Sequence, residues 1–382
     1  MIDEARIKEN LELISFPRLS GTDGEKRVFN LVKNKVEALN LEHSVQNFSF
    51  TSFYSRIYQK IVLILSFWAI FILYLNSDFI FTILNLIIIL AIFLPSAIIT
   101  RKPENIRIGK KRDSQNLFVK ILGDSAISYS NYKVSNQDNA RGNLIFICHL
   151  DSKGQLLPIK FRIFFFKLWI YSSTCCLILI FLKNIILVRY SFYFYIAGAI
   201  PLFLNLIATI ALSLNITNNK SFGAIDNAAG IVCVLELLNY YSNSNGLKNY
   251  NLWFLFTGAE ETGMMGIRHF YHKIKHLNRT KSFMLNFDTI GTHIDVITGE
   301  RGRIFFQNIK DFTITFHLPR RIRFTGSDAY YLADNGFHGF GVLDIQSYKY
   351  VHSKHDTTEK VDCLLLAKLL KQITIMIKGI DK

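Results

Sequence analysis

Four long apolar stretches, separated by polar segments, dominate the pattern of hydrophobic and polar positions. They occupy residues 61–75, 79–100, about 163–182, and 190–214. A helix needs about 20 apolar residues to cross a bilayer. The second and fourth stretches meet that length, whereas the first and third need charged side chains that reach the interface. Very short turns join the neighbouring stretches, so we predict two transmembrane helical hairpins, at 56–100 and 161–214.

The rest of the chain combines strand and helix patterns. Short apolar runs rich in β-branched or aromatic residues predict buried strands at 116–122, 144–148, 252–256 and 282–287. Helical periodicity at 227–241 and 264–274 separates some of them. This alternation predicts an α/β sandwich with a mixed, largely parallel sheet. We expect residues 1–55, 101–160 and 215–382 to form this domain together, interrupted by the two hairpins.

An alternative explanation of the apolar stretches is a set of core helices in a soluble protein. Two neighbouring pairs of such long segments, each joined by a very short turn, are unusual in a soluble domain. The mean hydropathy of +0.23 and the 50% hydrophobic content also favour a membrane protein. The net charge of +15 raises the question of a nucleic acid partner. The basic residues are not interleaved with aromatic residues in a nucleic-acid-binding motif, so we expect no such partner. The five irregularly spaced cysteines do not indicate a disulfide framework.

The distribution of Lys and Arg around the apolar stretches predicts an orientation. The turn of the first hairpin has none, and that of the second has Lys183 and Arg189. Excess positive charge marks cytoplasmic flanks, so we expect the domain outside the hairpins to lie on the cytoplasmic side. We expect the four transmembrane helices to lie in a bacterial inner membrane. The basic cluster at 101–112 would also attract anionic lipid, and a solvated charge run explains it equally well. The opposite flanks have Arg56, Lys60, Arg101, Lys102, Arg107, Lys110, Lys111, Arg112, Lys160, Arg162, Lys167 and Lys220.

Polar side chains follow several predicted strands at the point where each strand ends. In open α/β sheets the active site lies beyond the carboxyl ends of the strands. Each residue alone has an ordinary explanation, such as a helix cap or an exposed acidic pair. Together they form a set of imidazoles and carboxylates without cysteine, which suits zinc but not a structural zinc finger. The set consists of His149, Asp151, Asp226, Glu260, Glu261, Asp288, His352 and His355.

The order of five motifs resembles that of the co-catalytic di-zinc aminopeptidases. These motifs are H-x-D, G-A-x-D-N-A-A-G, G-A-E-E-x-G-x-x-G, N-F-D and H-S-x-x-D-T. The family includes bacterial leucyl aminopeptidases, aminopeptidase Y, glutamate carboxypeptidases and glutaminyl cyclases. The opening FPRLSGTDGEKRVFN and the pair Ser327-Asp328, ahead of a Gly-x-x-Gly-x-Gly strand, are also similar. The resemblance covers essentially all of the sequence outside the hairpins, and it implies an α/β/α sandwich of the zinc exopeptidase type.

The resemblance implies two zinc ions and assigns their ligands. His149 and Asp288 would hold the first zinc. Glu261 and His352 would hold the second. Asp226 would bridge both ions, and its negative charge would counter their repulsion.

Two further roles follow from the same resemblance. Glu260 would be the general base, and Asp151 would accept a hydrogen bond from a ligand imidazole and fix its tautomer. Some family members have a Tyr directly before the last His. This chain has Val351 there and Tyr350 one residue earlier, so the resemblance assigns no Tyr to that role.

The expected function is that of a membrane-bound aminopeptidase acting on peptides. Free amino termini suit a site rich in carboxylates, and we expect peptide substrate and membrane lipid as partners. Two alternatives stay open. One is a carboxypeptidase-like or glutaminyl-cyclase-like enzyme, and the other is a non-catalytic membrane scaffold. Because no ligand of the family pattern is lost, the sequence favours catalysis; it indicates no oligomeric state and no side-chain preference.

Overall fold

The computed structural model of the chain describes residues 1–75, 78–123, 141–186, 188–244, 246–299, 302, 316–317 and 326–381. Its contacts divide the chain into two compact units. The first unit comprises Met1–Phe50, Arg112–Gly154 and Asn218–Lys382. The second comprises Thr51–Lys111 and Gln155–Thr217. Each unit is therefore assembled from separate stretches of the chain.

Strands and helices are numbered here in chain order. The strands are β1 (His43–Thr51), β2 (Lys111–Ile121), β3 (Gly142–His149), β4 (Gly154–Gln155), β5 (Thr217–Asn218), β6 (Tyr250–Thr257), β7 (Ser282–Phe287), β8 (Asp295–Thr298), β9 (Phe316–His317) and β10 (His338–Leu343). The helices are α1 (Glu4–Ile14), α2 (Asp23–Glu37), α3 (Gln59–Leu75), α4 (Phe79–Ile99), α5 (Ile159–Phe181), α6 (Ser191–Ser213), α7 (Ala229–Ser242), α8 (Met265–Ile274), α9 (Asp328–Asp334) and α10 (Cys363–Ile380).

A mixed sheet, eight-stranded in the described part of the chain, forms the centre of the first unit. Its order is β1-β2-β6-β3-β7-β10-β8-β9, and β4 pairs with β5 separately. The central strands β6, β3, β7 and β10 run parallel to one another, whereas β2 and β8 run antiparallel to β6 and β10. Every residue of β3 and of β6 is buried, as expected for parallel strands covered on both faces.

Helices cover both faces of this sheet. Successive side chains of β3 enter different apolar clusters, with Phe146 in one and Ile147 in the other. The first cluster also contains side chains of α1, α2, α7 and α10, and the second contains side chains of α8 and α9. The first unit is therefore a three-layer α/β/α sandwich, in which the parallel strands end at a common edge.

The second unit contains four apolar helices among the described residues. With the π-helical and 3₁₀ turns at their ends, they run Phe53–Leu75, Phe79–Ile99, Ile159–Ile186 and Val188–Ser213, and each is long and apolar enough to cross a membrane. Asn205 Nδ2 of α6 donates to Ser172 Oγ of α5 at 2.9 Å. Lys183 Nζ donates to the carbonyl oxygen of Tyr74 in the last turn of α3 at 2.7 Å. These bonds connect neighbouring helices and the two hairpins.

The predicted fold class is confirmed, since the sheet is mixed, largely parallel and covered by helices. The predicted strand at 116–122 overlaps β2, and those at 144–148, 252–256 and 282–287 lie within β3, β6 and β7. All five cysteines are free. The first and third apolar helices are longer than predicted, because the helices continue through charged positions such as Arg56 and Lys60. The insertion of the hairpins into a membrane and the domain boundaries stay predictions.

Candidate metal centre

The residues singled out in the sequence meet at one edge of the sheet. His149 is the last residue of β3, β6 leads into the 3₁₀ helix Glu260–Thr262, and Asp288 directly follows β7. These three strands are neighbours in the sheet and run parallel, so their carboxyl ends lie together. Asp226 lies just before α7, and it joins this edge through the irregular turn that starts the helix.

Two groups of three side chains share Asp226. In the first, His149 Nε2 lies 3.1 Å from Asp226 Oδ1 and 3.5 Å from Asp288 Oδ1. In the second, His352 Nε2 lies 3.1 Å from Asp226 Oδ2 and 2.9 Å from Glu261 Oε1. The candidate ligand atoms of each group all lie within 4.8 Å of one another. Asp226 therefore directs one oxygen to each group.

The donor atoms of these groups fit a zinc ion. Zinc takes imidazole nitrogen and carboxylate oxygen at about 2.0–2.2 Å, so tetrahedral ligand atoms lie roughly 3.3 Å apart, which matches the distances just given. Glu261 Oε1 is buried, and His352 Nε2 lies 2.9 Å from it. Both atoms can donate a lone pair, so a cation between them would be bound by both.

Asp151 supports both the imidazole and the neighbouring loop. His149 Nδ1 lies 3.1 Å from the main-chain oxygen of Asp151 and 3.5 Å from its Oδ1. With the Nδ1–H donated to the main-chain oxygen, the lone pair of Nε2 is left for a metal. The buried carboxylate accepts the N–H groups of Glu260 and Glu261 at 3.0 and 3.1 Å, as well as the hydroxyl of Ser20. The main chain of Asp151, more than its carboxylate, thus orients the ring.

Asp356 supports the shared ligand, a role that the sequence reasoning missed. Its Oδ1 accepts the N–H of Ile225 at 2.6 Å, and its Oδ2 accepts the N–H of Asp226 at 3.3 Å. Burial and the charge of Asp226 raise the pKa of Asp356 to about 7. The available signal was its place in the H-S-x-x-D-T motif.

The adjacent residues Glu260 and Glu261 have opposite electrostatic surroundings. Burial raises the pKa of Glu260 well above its usual range, and the charge of Glu261 adds to the shift. Burial opposes ionisation of Glu261 as well, but His352 and Lys153 lower its pKa to about 2. The two imidazoles likewise hold the pKa of the buried Asp226 well below its usual range. The pKa values of Asp226 and Glu261 are therefore lowered, whereas that of Glu260 is raised.

Other candidates near the last motif lie outside the two groups. His355 is exposed. The ring of Tyr350 has Lys360 Nζ at 5.3 Å from its centroid. Tyr348, which the sequence reasoning did not single out, is half-buried, and burial together with the charge of Asp288 raises its pKa. The roles assigned to the side chains of this centre as metal ligands and base stay predictions.

This chain is similar to a known protein family in sequence and to several solved structures in fold. Residues 213–375 match the family model described as peptidase family M28. No curated protein matches the chain significantly in sequence. Among solved structures, the fold is similar to the aminopeptidase from Aneurinibacillus sp. strain AM-1, with a TM-score of 0.56 and 13% identity over 98% of this chain and 93% of that one.

Two further structures show the range of relatives with this fold. The zinc aminopeptidase BSAP from Bacillus subtilis gives a TM-score of 0.54 and 13% identity, covering 100% of this chain and 96% of that chain. Bacteroides thetaiotaomicron glutaminyl cyclase, solved bound to N-acetylhistamine, gives a TM-score of 0.53 and 10% identity, covering 99% of this chain and 98% of that chain. The common fold thus carries both peptidase and cyclase activities in these similar proteins.

Proposed function

We propose that this chain, which belongs to peptidase family M28, is a membrane-bound aminopeptidase that uses two zinc ions to release N-terminal residues from peptides. The pair of imidazole–carboxylate groups that share Asp226 carries the proposal. A carboxylate with one oxygen directed to each group suits two neighbouring cations, because its charge offsets their repulsion.

The side chains of the centre have different roles in the proposed hydrolysis. His149, Asp288, Glu261 and His352, with the shared Asp226, would hold the zinc ions, which would supply polarisation of the scissile carbonyl and a more acidic bound water. Glu260 accepts the proton of the attacking water and passes it to the leaving amine. Asp151 holds the main-chain N–H groups of both Glu260 and Glu261. This fixes one glutamate toward the second group and leaves the carboxyl of the other for proton transfer.

Buried carboxyl groups near the metal groups favour a substrate with a free amino terminus. Glu260 is buried beside the groups, and Asp328 Oδ1 is buried without a hydrogen bond to the described residues. Carboxyl oxygens accept hydrogen bonds from an ammonium group, which a carboxylate cannot donate. This supports removal of residues from the amino end of a peptide over removal from the carboxyl end.

Attachment to a membrane is proposed from the four apolar helices. The excess of Lys and Arg on the flanks opposite the hairpin turns supports a cytoplasmic peptidase domain. Membrane lipid is then the second partner besides the peptide.

The test is a product analysis with the full chain, purified in detergent and loaded with zinc. Peptides with a free amino terminus, with an acetylated amino terminus, with an amidated carboxyl end, and with an N-terminal glutamine are incubated and analysed by mass spectrometry. The N-terminal residue should be released from the free and amidated peptides, and acetylation should block release. Glu260→Gln cannot take a proton, so it should lower turnover by about 10²–10⁴-fold while zinc content stays at the wild-type value.

Other products would point to other functions. Shortening of the acetylated peptide from its carboxyl end would indicate a carboxypeptidase. Loss of ammonia from N-terminal glutamine without cleavage would indicate a cyclase. A zinc-loaded chain that changes none of these peptides would favour a scaffold.

A further inference from the structure

Lys153 lies beside the second metal group and contacts one of its candidate ligands. Its Nζ is 2.6 Å from Glu261 Oε2. Both side chains are largely buried, with exposed fractions of 16% for Lys153 and 6% for Glu261, so solvent screens this ion pair only partly. The other oxygen, Glu261 Oε1, faces His352 Nε2 at 2.9 Å. The two oxygens of Glu261 therefore have different neighbours, an ammonium on one side and the metal group on the other.

The first group has no such cation within the part of the chain that the structure describes. Asp288 Oδ1, which faces His149, accepts a hydrogen bond from the hydroxyl of Thr289 at 3.0 Å. No Lys or Arg of the described residues pairs with this carboxylate. The shared Asp226 contributes equally to both groups. The groups thus differ by one positive charge, which lies on the side of Glu261.

We propose that Lys153 makes the second group the weaker and more electrophilic of two unequal metal sites. The proposal rests on the proposed function in one respect, namely that the two groups are zinc sites. With Glu261 Oε2 held by the ammonium, only Oε1 is directed to the metal, so Glu261 binds through one oxygen. The ammonium also repels a dication, which weakens metal binding. It withdraws charge from the ligand as well, which leaves more of the positive charge on the metal.

The expected size of the effect follows from the charges. A single and a double positive charge about 5 Å apart repel enough to weaken binding about tenfold even at the dielectric constant of water, about 80. The partly buried position of Lys153 makes the effective dielectric constant lower and the effect larger.

Zinc titration of the full chain in detergent tests the proposal without relying on activity. The metal-free protein is titrated by competition with a chromogenic chelator, and circular dichroism checks that each variant is folded. Lys153→Met removes the charge at similar length, Lys153→Gln repeats the test with a polar side chain, and Lys153→Arg retains the charge. Lys354→Met is the matched control, because Lys354 is exposed and lies close to His352 in the sequence.

The wild type should bind two zinc ions with unequal affinity. Lys153→Met and Lys153→Gln should strengthen the weaker step about tenfold or more and leave the stronger step unchanged, whereas Lys153→Arg and Lys354→Met should stay within about threefold of the wild type. An unchanged or weakened second step in both neutral variants would overturn the proposal, as would a wild type with two equal sites or one site. Two unequal zinc sites in a chain that cleaves no peptide would refute the proposed function and leave this inference standing.

Discussion

The substitution Arg18→Met removes a buried guanidinium that holds together two segments with candidate metal ligands. Arg18 is fully buried. Its Nε donates to the carbonyl oxygen of Leu150, and its Nη1 and Nη2 donate to those of Phe222 and Gly223, each at 2.7 Å. Leu150 directly follows the histidine of the first metal group, and Gly223 lies just before Asp226 in the chain. One side chain thus fixes the distance between two elements of the metal centre.

Gly223 lets the guanidinium of Arg18 lie close to the main chain. Its φ is +63°, in the left-handed region that favours glycine. A Cβ at this position would lie 2.8 Å from Arg18 Nη1. The guanidinium can therefore approach the main chain only because glycine stands here.

The cost of losing the guanidinium can be worked out from these contacts. In Arg18→Met, three buried carbonyl groups lose a close donor, and each buried unpaired acceptor costs about 1–3 kcal/mol. Burial of the guanidinium itself is unfavourable, which also lowers the pKa of Arg18 to about 10, and its removal offsets part of that loss. Three such acceptors would cost about 3–9 kcal/mol together, and after the offset we expect a net destabilisation of about 3–5 kcal/mol.

Thermal unfolding of the purified full chain in detergent measures this effect. One kcal/mol shifts the Tm of a domain of this size by about 2–4 °C, so the Tm of Arg18→Met should fall by roughly 6–20 °C. Zinc binding should weaken in parallel, because both segments carry candidate ligands. The Tm of Arg18→Lys should lie between those of the wild type and Arg18→Met, since an ammonium keeps the charge but cannot reach all three carbonyls.

The control is Arg27→Met on α2, an exposed arginine whose guanidinium lies 4.4 Å from the ring centroid of Phe16. Its Tm should stay within about 3 °C of the wild type, as for most surface substitutions. If Arg18→Met melted as close to the wild type as Arg27→Met and bound zinc equally well, the guanidinium would not hold the metal centre.

Two further predictions concern the last motif and the membrane orientation. His352→Ala should lose the second zinc and most turnover, whereas His355→Ala should keep both, because only His352 faces Asp226 and Glu261; equal zinc contents measured by mass spectrometry would contradict the assignment. In a cysteine-free background, a cysteine replacing the exposed His276 should react with a membrane-impermeant maleimide only after permeabilisation, and one replacing Arg189 in the second hairpin turn should react in intact cells. The reverse pattern would invert the orientation without affecting the peptidase assignment.

The elements that sequence patterns predicted are those with strong local signals. The strands β3, β6 and β7 are runs of apolar residues that stay buried on both faces, and their pattern depends little on the rest of the fold. The candidate metal groups were predictable for a different reason. Their residues occur in an order that resembles a known family, so the resemblance, and not the local pattern, brought His149 and His352 together.

The contacts that support the centre could not be predicted in this way. Arg18 lies in a polar stretch typical of a surface loop, yet it is fully buried. Lys153 pairs with Glu261 from a distant part of the chain. Both contacts depend on how loops approach in three dimensions, and neither charge pattern nor periodicity encodes that approach. Helix ends were also difficult, since the helix predicted at 227–241 begins at Ala229, after the irregular turn that carries Asp226.

The main chain around the candidate metal centre is strained, and hydrogen bonds to the main chain explain how the strain is maintained. Non-glycine residues there have positive φ, among them Ala259 at 52°, Thr289 at 59° and His352 at 59°. Each such conformation costs on the order of 1–3 kcal/mol and persists only when the surroundings over-determine it. The N–H of Ala259 donates to the buried carboxyl of Glu25 at 2.8 Å, and the carbonyl oxygen of Thr289 accepts the N–H of Asp344 at 2.8 Å. The buried carboxyl of Glu25 holds the main chain at Ala259, and a main-chain hydrogen bond from Asp344 holds it at Thr289, so the candidate ligands stand in place through the protein's own hydrogen bonds.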